Sequence, residues 1–185
     1  MPTPPSLNGS RTAFELLFAI DQRCRSLAAG LPAQTTREQD WSGIGFRLGE
    51  HLFVTPMGEI AEILNEPRCT AMPGVKPWVL GIANLRGRLL PVIDLCGYFG
   101  HACSPLRKPR QVLVVEQPEV FAGLLVDEVL GMQHFDPASL VRGAEASPTL
   151  GMAPFIPGQF IREQPWRVFS TRALAQSRGF MDVAL

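Results

Sequence analysis

The hydrophobic pattern along the chain changes period once. Ala13, Leu17, Ile20, Cys24, Leu27 and Leu31 recur at alternating steps of four and three, which puts them on one stripe of a helix that Phe14 and Phe18 widen. The stripe opens with Thr12-Ala13-Phe14-Glu15, a capping box whose hydroxyl and carboxylate satisfy the first free amides. Gly30, where a left-handed residue costs little, is the expected end, and Pro32 bars continuation. Residues 1–11 read as a disordered lead and residues 33–40 as a polar linker. Such an apolar face needs a cover, either the protein's own body or a helix-binding groove on another chain.

From Trp41 onward the period is two. Ile44, Phe46 and Leu48 alternate with Gly45 and Arg47, and a turn at Gly49-Glu50-His51 leads into Leu52-Phe53-Val54. Pro56 stops that strand, and Ile60 to Leu64 reads as a further strand or as a short helix. Val79 to Leu85 and Arg88 to Ile93 predict a hairpin about Arg86-Gly87, with Asp94 placed to cap a short helical turn through Phe99. The second half repeats this grammar. Gln111 to Val115 and Phe121 to Val126 flank a Gln117-Pro118-Glu119 turn, and Asp127-Glu128-Val129-Leu130 follows. Gly158 to Arg162 and Trp166 to Phe169 make a hairpin about Gln164-Pro165, and Ser170/Thr171 caps a turn through Ala175. Runs such as Leu89 to Ile93 and Val112 to Val115 are apolar at consecutive positions, so both faces of those strands must be hidden. Two small closed barrels packed side by side meet that need; a single sandwich is the alternative.

Composition narrows the function. Of 185 residues, 46% are hydrophobic and 18% charged, and 17 basic residues balance 17 acidic ones. Binding to nucleic acid or anionic membrane through bulk charge needs a cation surplus that this chain lacks. No apolar run approaches the ~20 residues of a membrane helix, and the stretch from Phe14 to Ile20 is not a secretory signal. Cys24, Cys69, Cys96 and Cys103 form no C-x-x-C pair and are expected to be reduced thiols of a cytoplasmic protein. Cys96, His101 and Cys103 lie close together, but tetrahedral zinc draws on a second ligand pair that is missing, so no metal and no cofactor is expected.

Catalytic signatures are missing too. There is no G-x-S-x-G elbow, H-E-x-x-H helix or Walker loop, and Gly43 to Gly49 imitates a dinucleotide fingerprint on an alternating strand with no helix after it. Asp127-Glu128 is a poor acid–base couple, because adjacent strand positions face opposite ways. No catalytic residue is assigned and no enzymatic activity is expected. What stands out is Asn84-Leu85-Arg86-Gly87-Arg88, with two guanidinium groups at a hairpin tip. Read blandly, it is a solvated turn. Read for function, Asn84 and Arg86 supply directional hydrogen bonds, arginine suits a protein partner's carboxylates, and Glu62 orients Arg86 if its strand lies alongside.

The segment GIANLRGRLLPVIDL over residues 81–95 closely resembles the signature of the CheW family of chemotaxis coupling proteins, and residues 121–129 resemble that family's second-half strand pair. The likeness spans residues 41–175. The N-terminal helix, Trp41 to Phe46 and Pro73 to Trp78 look more like the branch called PilI, from the chemosensory system of type IV pili. The resemblance implies a mostly β protein of two packed five-stranded SH3-like barrels, divided at about 41–100 and 110–175, after an extension at 1–40 and before a tail at 176–185. It further implies a non-catalytic adaptor that joins a methyl-accepting chemoreceptor's cytoplasmic tip to a CheA-type histidine kinase, recruited to receptor arrays at the inner membrane. By matching position, Arg86, Glu62, Gly81 and Asn84 fall to receptor coupling, Ile60 to the kinase-facing side, and Val126 and Asp127 to the groove between barrels. Leu80 departs from the family, where a basic residue can stand. Rival readings are a flagellar coupling protein, a small-ligand-binding barrel, and an oligonucleotide-binding barrel, for which Trp166-Arg167 is a lone aromatic–basic pair.

Overall fold

The computed structural model describes residues 12–27, 40–100, 109–143 and 151–185, and falls into two units, Met1–Arg37 and Glu38–Leu185. In the first unit, helix α1 spans Ala13–Leu27. Its capping box forms as predicted: Thr12 N donates to Glu15 Oε2 (2.9 Å) and Glu15 N to Thr12 Oγ1 (3.3 Å). An Asp21–Arg25 pair at 3.0 Å and stacked Phe14 and Phe18 rings line its flank. The expected stop at Gly30 and the linker at 33–39 lie outside the described residues, as do His101 and Cys103.

The second unit carries eleven described strands: β1 Trp41–Leu48, β2 His51–Pro56, β3 Glu62–Asn65, β4 Val79–Leu85, β5 Arg88–Asp94, β6 Gln111–Gln117, β7 Val120–Val126, β8 Glu128–Phe135, β9 Leu140–Arg142, β10 Gly158–Ile161 and β11 Pro165–Val168. They form a five-stranded sheet ordered β3-β6-β7-β5-β4 and a six-stranded sheet ordered β8-β1-β2-β11-β10-β9. The expected mostly β, two-lobed architecture is present, with one strand more than expected. That extra strand, β9, arises because the chain turns through Pro137–Ser139 and lays three residues against β10.

A boundary between lobes at residues 100–110 does not match the pairing. β1 and β2, from the front of the unit, join β8 and β11 in the sheet built mainly from its end. The repeat seen in the sequence nonetheless has a structural counterpart. In each sheet a lone strand flanks one hairpin, which pairs in parallel with a second hairpin: β3 then β6β7 then β5β4, and β8 then β1β2 then β11β10. The repeat is therefore circularly offset, with β1β2 filling the place in one sheet that β6β7 fills in the other. Each second hairpin runs into a capped helix. Asp94 Oδ1 accepts from Gly97 N at the start of α2 (Leu95–Tyr98), and Ser170 Oγ accepts from Ala173 N at the start of α3 (Thr171–Ala175).

Local details adjust the sequence reading. The strand expected at Ile60 begins at Glu62, after a 3-10 turn at Met57–Glu59. Pro165 pairs with Ile161, so the last hairpin turns through residues 162–164 rather than about Gln164-Pro165. The supposed tail is part of the folded unit. A fourth helix, α4, spans Arg178–Met181 and buries Phe180, Lys76 pairs with Asp182 at 2.9 Å, and Ala184 bridges Val75.

Three apolar clusters account for the doubly apolar strands. Leu113 and Val115 of β6 join Phe46, Phe53 and Phe169 in a cluster drawn from both sheets, while Val112 and Val114 face a second cluster with Leu90, Val92 and Leu125. A third cluster holds Phe135 and Phe160, with Trp41 and Trp166 against it. Here the glycines of the false nucleotide motif find their role. A Cβ on Gly43 would lie 2.4 Å from Thr55 O and 2.8 Å from the Trp41 ring, and one on Gly45 2.8 Å from both Gln133 Cγ and the Trp166 ring. They are small because the paired backbone and the two indoles leave no room for a side chain.

Candidate partner-binding site at the Arg86 hairpin

β4 and β5 are joined by a two-residue turn in which Arg86 (φ 52°) and Gly87 (φ 85°) both adopt positive φ, the primed geometry that matches strand twist. Arg86 is the one described non-glycine residue in that region. Asn84 Oδ1 accepts from Gly87 N at 2.8 Å and holds the turn. Arg86 Nη2 donates to Glu62 Oε1 at 2.8 Å. Glu62 belongs to β3 and Arg86 to the tip of β4, at opposite ends of the five-stranded order, so this pair reports that the sheet curls on itself. The same curl appears deeper in the lobe, where Thr70, five residues past β3, exchanges two backbone hydrogen bonds with Ile82 of β4.

The Arg86 side chain is 79% exposed and that of Glu62 30%, which makes the carboxylate the seat and the guanidinium the projecting group. As an exposed ion pair it adds roughly 0–1 kcal/mol to stability.

A second pair on the same hairpin escaped the sequence reading. Arg88 Nη1 donates to Glu116 Oε1 at 2.9 Å, and the guanidinium carbon stands 3.8 Å from the centroid of the Phe121 ring. Glu116 and Phe121 are register partners across the β6–β7 hairpin. The available signal was Glu116 itself, the first polar residue after the Val112–Val115 run; in the fold β7 alone separates its strand from that of Arg88.

The remaining predicted residues lie elsewhere. Gly81 is buried at a bulge of β4 with φ 133°, and a Cβ there would meet Thr70 O at 2.2 Å. The backbone there has room for glycine alone. Ile60 is half-buried and packs against the cluster shared by the two sheets. Val126 and Asp127, assigned by the resemblance to the groove between barrels, are 1% and 2% exposed. Asp127 is the joint between sheets: its Oδ2 accepts from Gly49 N at 2.7 Å, and its own N donates to Arg47 O at 3.2 Å. Leu80 packs against the inner cluster of the five-stranded sheet. Burial, and then nearby Glu66, push the Cys69 thiol up from its ordinary range, and burial lowers Arg167. Among the described residues no group of three or more His, Cys, Asp or Glu is arranged to hold a metal, and no helix is long and apolar enough to cross a membrane.

Comparison with known proteins places this geometry. A model of the CheW-like domain matches residues 42–179. The chain belongs to the CheW-like family. Protein PilI of Pseudomonas aeruginosa is 62% identical over 95% of this chain and 98% of its own length. Chemotaxis protein CheW of Helicobacter pylori is 32% identical over 58% of this chain and 65% of its own. The crystal structure of scaffolding protein TtCheW from Thermoanaerobacter tengcongensis superposes with a TM-score of 0.63 at 25% identity, covering 71% of this chain and 89% of that one. The two-sheet unit is thus a CheW-like fold, and α1 precedes the matched region.

Proposed function

We propose that this CheW-like protein is a non-catalytic adaptor of a chemosensory pathway. It couples the cytoplasmic tip of a methyl-accepting chemoreceptor to a CheA-type histidine kinase, and the pathway controls type IV pilus twitching motility. It works in the cytoplasm, gathered at receptor arrays on the inner membrane. The likeness to PilI over nearly the full length supports the pilus branch. The observation that carries the adaptor reading is the Arg86 turn, where a highly exposed guanidinium is fixed by Glu62 and by the Asn84-braced backbone. A group oriented by these contacts and turned outward suits a partner's carboxylate.

In this reading Arg86 and Asn84 present the receptor-coupling surface, Glu62 orients Arg86 within it, and Gly81 shapes the strand beneath it. The region about Ile60 faces the kinase. Val126 and Asp127 support the joint between lobes without contacting a partner. The receptor contributes a helical hairpin, the kinase a regulatory barrel, and modest individual affinities suffice because each bound partner raises the effective concentration of the other.

Autophosphorylation of a CheA-type kinase mixed with receptor cytoplasmic fragments tests the proposal. Adding this protein is expected to change the rate several-fold and to make it respond to receptor state. Equal rates with and without the protein would overturn it.

A further inference from the structure

Arg88 has features that a solvated turn does not require. Its guanidinium is fixed twice, by the 2.9 Å bond to Glu116 and by the Phe121 ring 3.8 Å away. An exposed arginine otherwise samples many rotamers, and fixing it in advance removes an entropy cost from any later contact. The Glu116 bond engages Nη1 alone, and Nε and Nη2 make no hydrogen bond to the described residues. The side chain is 55% exposed, against 48% for Glu116. Arg86 repeats the arrangement two residues away, engaged through Nη2 alone among the described residues and 79% exposed over a 30% exposed Glu62. At Arg86 the cation is far more exposed than its carboxylate, and at Arg88 the two are about equally exposed, so both guanidinium groups are open to an approaching surface.

We propose that Arg88 is a second binding residue of the receptor-coupling surface, and that the two arginines together recognise a pair of carboxylates on the receptor's helical hairpin. Glu62, Glu116 and Phe121 position the two cations and do not touch the partner. Each unengaged guanidinium edge offers two parallel N–H donors, the match for one carboxylate. Two such forks fixed on one hairpin select for the spacing of two acids as well as for their charge, which a lone arginine does not do. The inference rests on the coupling function proposed above and adds to it the chemistry of the partner and a further residue.

The test measures binding of the full-length protein to a soluble receptor hairpin fragment, alongside binding to the kinase regulatory domain. Arg88→Ala is expected to weaken receptor binding about tenfold, the effect of losing one contact worth ~1.4 kcal/mol, while kinase binding stays unchanged. The exchange Arg88→Glu with Glu116→Arg restores the ion pair and the melting temperature but not receptor binding. A receptor fragment whose hairpin carboxylates are changed to the corresponding amides binds wild type and Arg88→Ala alike, as a double-mutant cycle requires of a direct contact. Receptor binding equal to wild type in Arg88→Ala, or restored by the exchange, overturns the inference and leaves the coupling function standing. Failure of the wild-type protein to bind the fragment overturns both.

Discussion

Gly81→Val is expected to lower the melting temperature by about 10 °C, from a loss of roughly 3–5 kcal/mol in a protein of this size. Two causes add. The backbone at Gly81 has φ 133°, which a β-branched residue adopts only under strain, and its Cβ would sit 2.2 Å from Thr70 O. The obstruction is backbone, fixed by the two Thr70–Ile82 hydrogen bonds, so it does not swing aside like a side chain. Relief requires breaking the bridge that covers β4. Gly74→Ala is the control, since Gly74 also has positive φ (72°) but a Cβ added there would meet nothing within 4 Å. It should cost about 1 kcal/mol, the strain alone. Thermal or chemical unfolding monitored by circular dichroism separates the two. A Gly81→Val variant as stable as wild type but unable to couple would instead make Gly81 a contact residue.

Arg86→Glu is expected to do the reverse, leaving the fold nearly intact while weakening receptor binding at least about tenfold. The exposed Arg86–Glu62 pair adds little stability, and the Asn84–Gly87 hydrogen bond still holds the turn. Function suffers because two carboxylates then stand together where a cation projected. The exchange Arg86→Glu with Glu62→Arg restores a pair with its polarity reversed. If coupling depends on an outward guanidinium on the hairpin, the exchange recovers stability and not binding. Recovery of binding would mean that the pair serves only to close the sheet.

Local structure was largely legible in the sequence because its causes are local. The capping box at Thr12, the Arg86-Gly87 hairpin and the caps at Asp94 and Ser170 each depend on residues within four positions, and each forms. The consecutive apolar runs foretold strands covered on both faces, as Leu113 and Val114 are. The Arg86–Glu62 pair was foreseen conditionally, because the sequence offered the charges but not the curl that brings β3 to the β4 edge.

What stayed hidden depends on pairing across long separations. Nothing in the alternation of β1 and β2 says that they join β8 and β11, since a strand's pattern records which face is buried and not which neighbour it has. The offset repeat therefore read as two consecutive lobes. Asp127 illustrates the same limit: only the fold brings Gly49 N, 78 positions away, to the buried carboxylate. Glu116 was missed because its partner comes from another hairpin.

Bridging is the most direct test of whether one molecule holds two partners at once. A tagged kinase regulatory domain is immobilised at a concentration where it retains no receptor hairpin fragment by itself. Added full-length protein is predicted to retain the receptor fragment in proportion to the amount bound, with Arg86→Glu retaining kinase contact but no receptor. Receptor and kinase displacing each other from the protein, rather than assembling on it together, would contradict the account.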